Sequence, residues 1–294
     1  MSDALNNALS LLQQVINFPF ELLGLKICKI EYGDMKCIVT IDALEEIEAN
    51  LFYNQYMVLR KIQRGDVIVD LEAHQGTFTI LASKLCGENG LVIAVEPLPL
   101  NFNLLVNNVK LNGCKNVWTF RRAVYVESGK RITLHLPTGL ITLSESASVF
   151  IRGCLPRKKM RYVHVQTMSM RDIFDLIRSV KGISHLDFLK IDIEGYELLL
   201  LTSNNEWLQH VSFIIGEFHD DVYGELGKKK IIEALRRQGF KAGTVTMQID
   251  KISLLKKWLL SSIQASATGY CLWRALTCIK PSTLTLRLFY GERS

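Results

Sequence analysis

The chain has 294 residues, of which 48% are hydrophobic and 22% charged, with a formal net charge of +6. This is the composition of an ordinary globular protein with a large core, and it excludes a disordered or low-complexity chain. No stretch reaches the roughly 18 uninterrupted apolar residues of a membrane span, and the start lacks a basic flank followed by an apolar signal core, so cytoplasmic residence is the expectation.

Residues 1–20 read as a leading amphipathic helix, with Leu5, Ala8, Leu11, Leu12 and Val15 at helical spacing until Pro19. Residues 25–41 alternate toward strand character, so 1–55 form an N-terminal helix and a small cap. Tyr53 and Tyr56 lie in a helical stretch just before the first core strand, where packing alone would account for both.

Val67, Ile68 and Val69 form a short continuous apolar run, as in a strand covered on both faces, and Asp70 stands where its carboxyl end should emerge into a crevice. Gly76 allows a close backbone turn into a helix through Thr77-Phe78-Thr79-Ile80-Leu81-Ala82. The run Leu91–Val95 is a second apolar strand, closed by Glu96, whose carboxylate stands where ribose hydroxyls are bound in nucleotide-type sites. A glycine turn with two merely solvated acids is the plainer alternative, but the order and spacing favour a ribose-bearing cofactor.

Phe102, Leu105 and Val109 give the next helix a buried stripe that stops at Gly113, and Val117 to Arg122 enters a third strand. From about 126 to 182 an insertion carries strand signals at 131–136, 147–151 and 162–167, predicting extra hairpins near the active face. Phe188–Ile191 and Ser212–His219 are further strands. The segment 254–279 is apolar but interrupted by polar residues, which fits a helical insertion at about 250–280, and 284–290 returns as a terminal strand. Alternation of this kind is an α/β fold with a parallel sheet covered by helices.

Candidate chemistry gathers at the carboxyl ends of the later strands. Asp192 is at the exit of its strand, Glu194 just beyond it, and Lys190 two residues inward on the same face, placed to hold Asp192 as a carboxylate. Asp192 is the first choice for a base or a ligand of substrate hydroxyls and Glu194 the second, though Glu194 could equally satisfy helix N-terminal amides. Glu217 and His219 alternate onto one face of the following strand, and His219 is the alternative base because its ordinary pKa lies near neutrality.

The cysteines, at 28, 37, 86, 114, 154, 271 and 278, are odd in number and include no Cys-x-x-Cys pair, which argues against a zinc site and a disulfide framework. A divalent ion on Asp192, Glu194 and Glu217 is an alternative that the spacing does not demand, and no metal is expected. The basic clusters at 157–161, 228–230 and 256–257 read as solvated faces. A dinucleotide fingerprint is missing, since the loop after the first strand holds a single glycine, and no phosphate-binding Gly-x-x-x-x-Gly-Lys-Ser/Thr loop is present.

Gly65-Asp66-Val67-Ile68-Val69-Asp70, Glu96-Pro97, Asn101-Phe102, Asn107-Asn108, Leu111-Asn112-Gly113 and the block Phe188-Leu189-Lys190-Ile191-Asp192-Ile193-Glu194-Gly195-Tyr196-Glu197 together resemble the FkbM family of S-adenosylmethionine-dependent methyltransferases. The likeness runs from about Tyr56 to about Phe240. It implies a Rossmann-like class I methyltransferase domain over 56–294, with a mostly parallel seven-stranded sheet, helices on both faces and an antiparallel last strand. It also implies S-adenosylmethionine as cofactor, held by Asp70, Glu72, Ala73, His74, Gly76, Thr77, Glu96, Pro97, Asn101 and Ala123, with the segment around Tyr53 and Tyr56 helping to close the site. The implied acceptor is a hydroxyl on a sugar, glycolipid or other secondary metabolite. Nucleic acid is disfavoured because no Asn-Pro-Pro-Tyr stands at 192–195; peripheral membrane contact is compatible with the chain, and oligomeric state is left open.

One departure is prominent. The family loop reads Asp-x-Gly-Ala-Asn-x-Gly, whereas here Glu72 replaces the first glycine and His74 the asparagine. The Glu72 carboxylate then either meets the positive end of the cofactor or fills the pocket. The second outcome would leave a methyltransferase-fold protein serving as a binding or assembly subunit.

Overall fold

A computed structural model describes residues 27–40, 43, 49–51, 54–137, 160–203, 205–250 and 283–293. The predicted leading helix, Tyr53, the strand signal at 147–151 and the helical insertion at 254–279 lie outside the described residues. The strands are β1 (Ile27–Tyr32), β2 (Met35–Thr40), β3 (Val67–Leu71), β4 (Leu91–Val95), β5 (Val117–Phe120), β6 (Ala123–Val124), β7 (Arg131–Pro137), β8 (Met160–Met168), β9 (Leu186–Ile191), β10 (Val211–Glu217), β11 (Lys241–Asp250) and β12 (Thr283–Glu292). The helices are α1 (Thr77–Cys86), α2 (Pro99–Leu111), α3 (Met170–Lys181), α4 (Glu197–Thr202) and α5 (Asp220–Arg237).

Seven strands form one sheet in the order β11-β12-β10-β9-β3-β4-β5. The pairs among β5, β4, β3, β9 and β10 are parallel, and β12 runs antiparallel between β10 and β11. The last strand is thus antiparallel, as the resemblance implied, and it lies second from the edge. The strand order reverses beside β3, where the chain leaves for β4 on one side and β9 lies on the other, and such a switch point opens a crevice at the strands' carboxyl ends.

The two-residue period of the strands decides which helix each face receives. Val67, Val69 and Leu71 of β3, with Leu91, Ile93 and Val95 of β4, pack against Ile173 and Ile177 of α3, Leu200 and Leu201 of α4, and Ile231 and Leu235 of α5. The alternate residues Ile68, Val92, Phe188 and Phe213 face Phe78, Ala82 and Cys86 of α1 together with Tyr56. Ala94 meets Leu105 and Val109 of α2. Helices therefore cover both faces, and every residue of β3 and β4 is buried.

β1 and β2 pair as an antiparallel hairpin within the residues read as alternating toward strand, and β2 is fastened to α2 through Asn108, which accepts from the Ile38 amide at 2.7 Å and donates to the Ile38 carbonyl at 2.9 Å. The region 126–182 is not only hairpins. β7 and β8 pair antiparallel and β6 joins β8 in parallel to make a three-stranded sheet, but the region ends in the crossover helix α3, opened by a Ser169–Asp172 capping box. β11, absent from the strands assigned above, fills residues 241–250, and the third strand ends at Phe120 rather than Arg122.

Candidate functional site

The loop between β3 and α1 is held open by backbone shape. Glu72, His74 and Gly76 have φ of 58°, 52° and 91°, so this loop keeps a glycine-like left-handed conformation at position 72 even though a glutamate stands there. A non-glycine residue in that region costs about 1–2 kcal/mol, which the surroundings must offset. Lys190 Nζ does so, donating to the carbonyl of Glu72 at 2.9 Å and to that of Leu71 at 3.4 Å. Gly76 suits its φ of 91°, where a side chain would be strained, and a Cβ there would also press on Leu105, 2.7 Å from its Cδ1.

Asp70 does not emerge into the crevice. It is fully buried, its Oδ1 is 3.0 Å from Lys190 Nζ, and its Oδ2 accepts from the Thr79 hydroxyl at 2.5 Å. Lys190 therefore serves Asp70 first, at the shorter distance, and Asp192 second at 3.9 Å, where the sequence spacing pointed to Asp192 alone. The ammonium also lies 5.0 Å from the centre of the Tyr56 ring, so its desolvated charge is faced by two carboxylates, two carbonyls and an aromatic face.

Asp192, at the exit of β9, keeps 22% of its side chain exposed and accepts a 2.9 Å hydrogen bond from the Tyr56 hydroxyl. His219, between β10 and α5, brings its Nε2 to 3.8 Å from Asp192 Oδ1 and 3.5 Å from Glu194 Oε2, while Nδ1 lies 2.8 Å from Glu197 Oε1. The three residues chosen from sequence, Asp192, Glu194 and His219, thus meet around one imidazole. Glu194 has a φ of 51°, and the turn amides of Ile193 and Gly195 donate to Glu197 Oε1 at 2.9 and 3.3 Å.

The charges are strongly unbalanced. Burial, then the charges of Glu194, Glu96, Asp192 and Glu197, push the Glu72 carboxyl well above the usual range. Burial and Asp192 push Glu217 up to about 8, against the opposing pull of His219. Burial works to lower His219, but the combined effect of Glu197, Glu194 and Asp192 carries it up to about 10. Around neutrality the imidazole is a cation and Glu217 is mostly a neutral acid.

The remaining sequence-derived residues divide. Glu96 is buried and accepts from the His74 amide at 2.8 Å and the Leu98 amide at 2.9 Å, tying the loop after β3 to the end of β4. Ala73 packs with Ala94 and Leu105, and Ala123 with Leu98 and Leu134. Pro97 is buried beside Glu96. Thr77 and Asn101 join a buried polar network, in which Thr77 Oγ1 accepts from Asn50 and Asn101 Oδ1 from Gln75. Among the described residues no three His, Cys, Asp or Glu side chains are arranged to hold a metal ion. Sequence reasoning missed Glu197, whose only signal was its place two residues beyond Gly195, at the end of the block 188–197.

A crevice at the switch point of a 3-2-1-4-5-7-6 sheet, with an acid closing β4 and acid–base groups at the exits of β9 and β10, defines a Rossmann-like class I methyltransferase architecture. The chain belongs to the FkbM methyltransferase domain family, whose profile matches residues 70–242, more than half its length. Similar solved structures include Aeropyrum pernix fibrillarin with bound S-adenosylmethionine (12% identity, 94% of this chain and 85% of that one, TM-score 0.44). Another is the Geobacter metallireducens precorrin-6y C5,15-methyltransferase (12%, 79% and 82%, 0.42). A third is a Bacillus cereus O-methyltransferase in complex with S-adenosylhomocysteine (12%, 86% and 91%, 0.40). No curated protein sequence matches the chain significantly. Among the described residues no helix is long and apolar enough to cross a membrane.

Proposed function

We propose that this protein moves a methyl group from S-adenosylmethionine to a hydroxyl of a sugar, glycolipid or similar small molecule. The observation that carries this reading is Asp192: a partly open carboxylate at the exit of a central strand, oriented by Tyr56 and flanked by His219. A sulfonium methyl donor needs little covalent help from the protein, but a neutral hydroxyl must lose its proton as it becomes the nucleophile.

The residues present suit a cationic cofactor. Burial, and then the charges of Glu194, Glu96, Asp192 and Glu197, raise the Glu72 carboxyl well above its usual range, and a ligand carrying positive charge would oppose that rise. Asp70, Gly76 and Lys190 fix the loop that would face it, Glu96 would accept ribose hydroxyls, and Glu72 would meet the positive end. When bound, the cofactor supplies an electrophilic methyl group on sulfur.

In this reading Asp192 holds the acceptor hydroxyl and takes its proton, Tyr56 keeps the carboxylate in place, and Glu194 binds a neighbouring hydroxyl of the acceptor. His219, already protonated, stabilises the two carboxylates rather than acting as the base. Calorimetry with S-adenosylmethionine, followed by transfer of labelled methyl into host lipid and glycan extracts, tests the proposal. Binding and a base-stable, ether-linked label are expected; no binding at millimolar cofactor overturns it and favours the binding-subunit alternative.

A further inference from the structure

Glu197 is fully buried, and its Oε1 is shared by the Ile193 amide, the Gly195 amide and His219 Nδ1 at 2.9, 3.3 and 2.8 Å. One oxygen therefore ties the turn that carries Asp192 and Glu194 to the imidazole that faces them. The other oxygen, Oε2, is buried with no hydrogen-bond partner. A carboxylate so poorly solvated is costly unless a cation neutralises it, and the cation beside it is His219.

We propose that Glu197 is a positioning residue of the methyl-transfer site, one that fixes His219 with Nδ1–H donated to Glu197 and Nε2–H aimed between Asp192 and Glu194. This rests on the methyl-transfer reading above. An imidazole with one nitrogen held by a buried carboxylate keeps its ring plane and its proton, so its far nitrogen presents a fixed positive edge. At 3.8 and 3.5 Å that edge stands between the two candidate acceptor carboxylates, which would otherwise repel each other.

Every element packed on the ring contributes to this arrangement. Glu197 comes from α4, Asp192 and Glu194 from the turn after β9, and Glu217 from β10 itself. Tyr223 of α5 accepts the His219 backbone amide at 2.8 Å and so fixes the ring's point of attachment. Lys190, on the far side of Asp192, is committed to Asp70. Without Glu197 the imidazole would keep two carboxylate neighbours at longer range but lose its only close one.

The test is nitrogen-resolved NMR of the ring in the full chain, free of cofactor, across pH 6–10. In the wild type both His219 nitrogens should stay protonated through pH 8.5, consistent with a midpoint of about 10. In Glu197→Gln the midpoint should fall to about 7, near that of an ordinary histidine, with Glu197→Asp in between. A role confined to capping the turn would leave the ring's titration unchanged in Glu197→Gln, and that result overturns the proposal. If Glu197→Gln does not fold, the wild type decides alone: a His219 that is neutral at pH 8 overturns it. Cofactor binding is scored separately by calorimetry, so failure of the methyl-transfer reading is not mistaken for failure of the Glu197 assignment.

Discussion

The hydroxyl of Tyr56 lies 2.9 Å from Oδ2 of Asp192, joining a turn that precedes the first core strand to the exit of β9 across 136 residues of chain. Tyr56 is 1% exposed and its ring packs edge-on against Phe78, so its hydroxyl is aimed rather than free to rotate away. Tyr56→Phe should keep the packing and lose the aim. Turnover should fall about 10-fold and stability by about 1 kcal/mol, with cofactor affinity nearly unchanged, as read by labelled-methyl assay, denaturant titration and calorimetry.

Asp192→Asn should lower turnover by about 10²-fold or more while leaving cofactor binding intact, because a carboxamide cannot take the hydroxyl proton. His219→Ala should be the milder change. Equal turnover of Asp192→Asn and wild type, with His219→Ala dead, would move the base to His219.

Glu72→Gly restores the residue type that the family places at this left-handed position and removes a half-buried acid. Stability should rise by about 1 kcal/mol from the backbone change. Cofactor binding should weaken, since the carboxyl that would meet the positive charge is gone. Thermal denaturation and calorimetry on the same preparation read the two effects, and tighter binding in Glu72→Gly would show that the side chain obstructs the pocket.

Lys190→Met should cost about 3–5 kcal/mol, because it leaves the buried Asp70 without its cation. Adding Asp70→Asn should recover part of that loss, and urea unfolding of the two variants measures how much. If the pair is no better than Lys190→Met alone, the carbonyls of Leu71 and Glu72 are the more important partners of Lys190.

Stability should fall as pH rises from about 4.5 to 10. Glu72, Glu217 and His219 all hold their protons more tightly folded than unfolded, so each contributes stability that is full below its unfolded value and is lost as pH climbs through its folded one. For Glu217 the window runs from 4.5 to about 8, and for His219 from 6.5 to about 10. Urea midpoints at pH 5, 7 and 9 should descend in that order, and Glu217→Gln should flatten the first interval.

The sequence by itself determined the strands that carry the fold. Val67–Val69, Leu91–Val95 and Phe188–Ile191 are short, mainly apolar runs that mark strands covered on both faces, and each lies within an observed strand. It also placed Asp192, Glu194 and His219 at strand exits, since a two-residue period fixes which side chains leave the sheet together. Only the tertiary structure decided the partners. Lys190 could reach Asp192 by sequence spacing, yet β3 lies beside β9 and brings Asp70 nearer. Glu197 carried no assigned role in the sequence, and the fold buries it against His219. Strand β11 was missed because Lys241–Asp250 holds no continuous apolar run and is held by its long antiparallel pairing with β12. Such contacts depend on strand order and side-chain direction across distant segments, and no local period in the sequence encodes them.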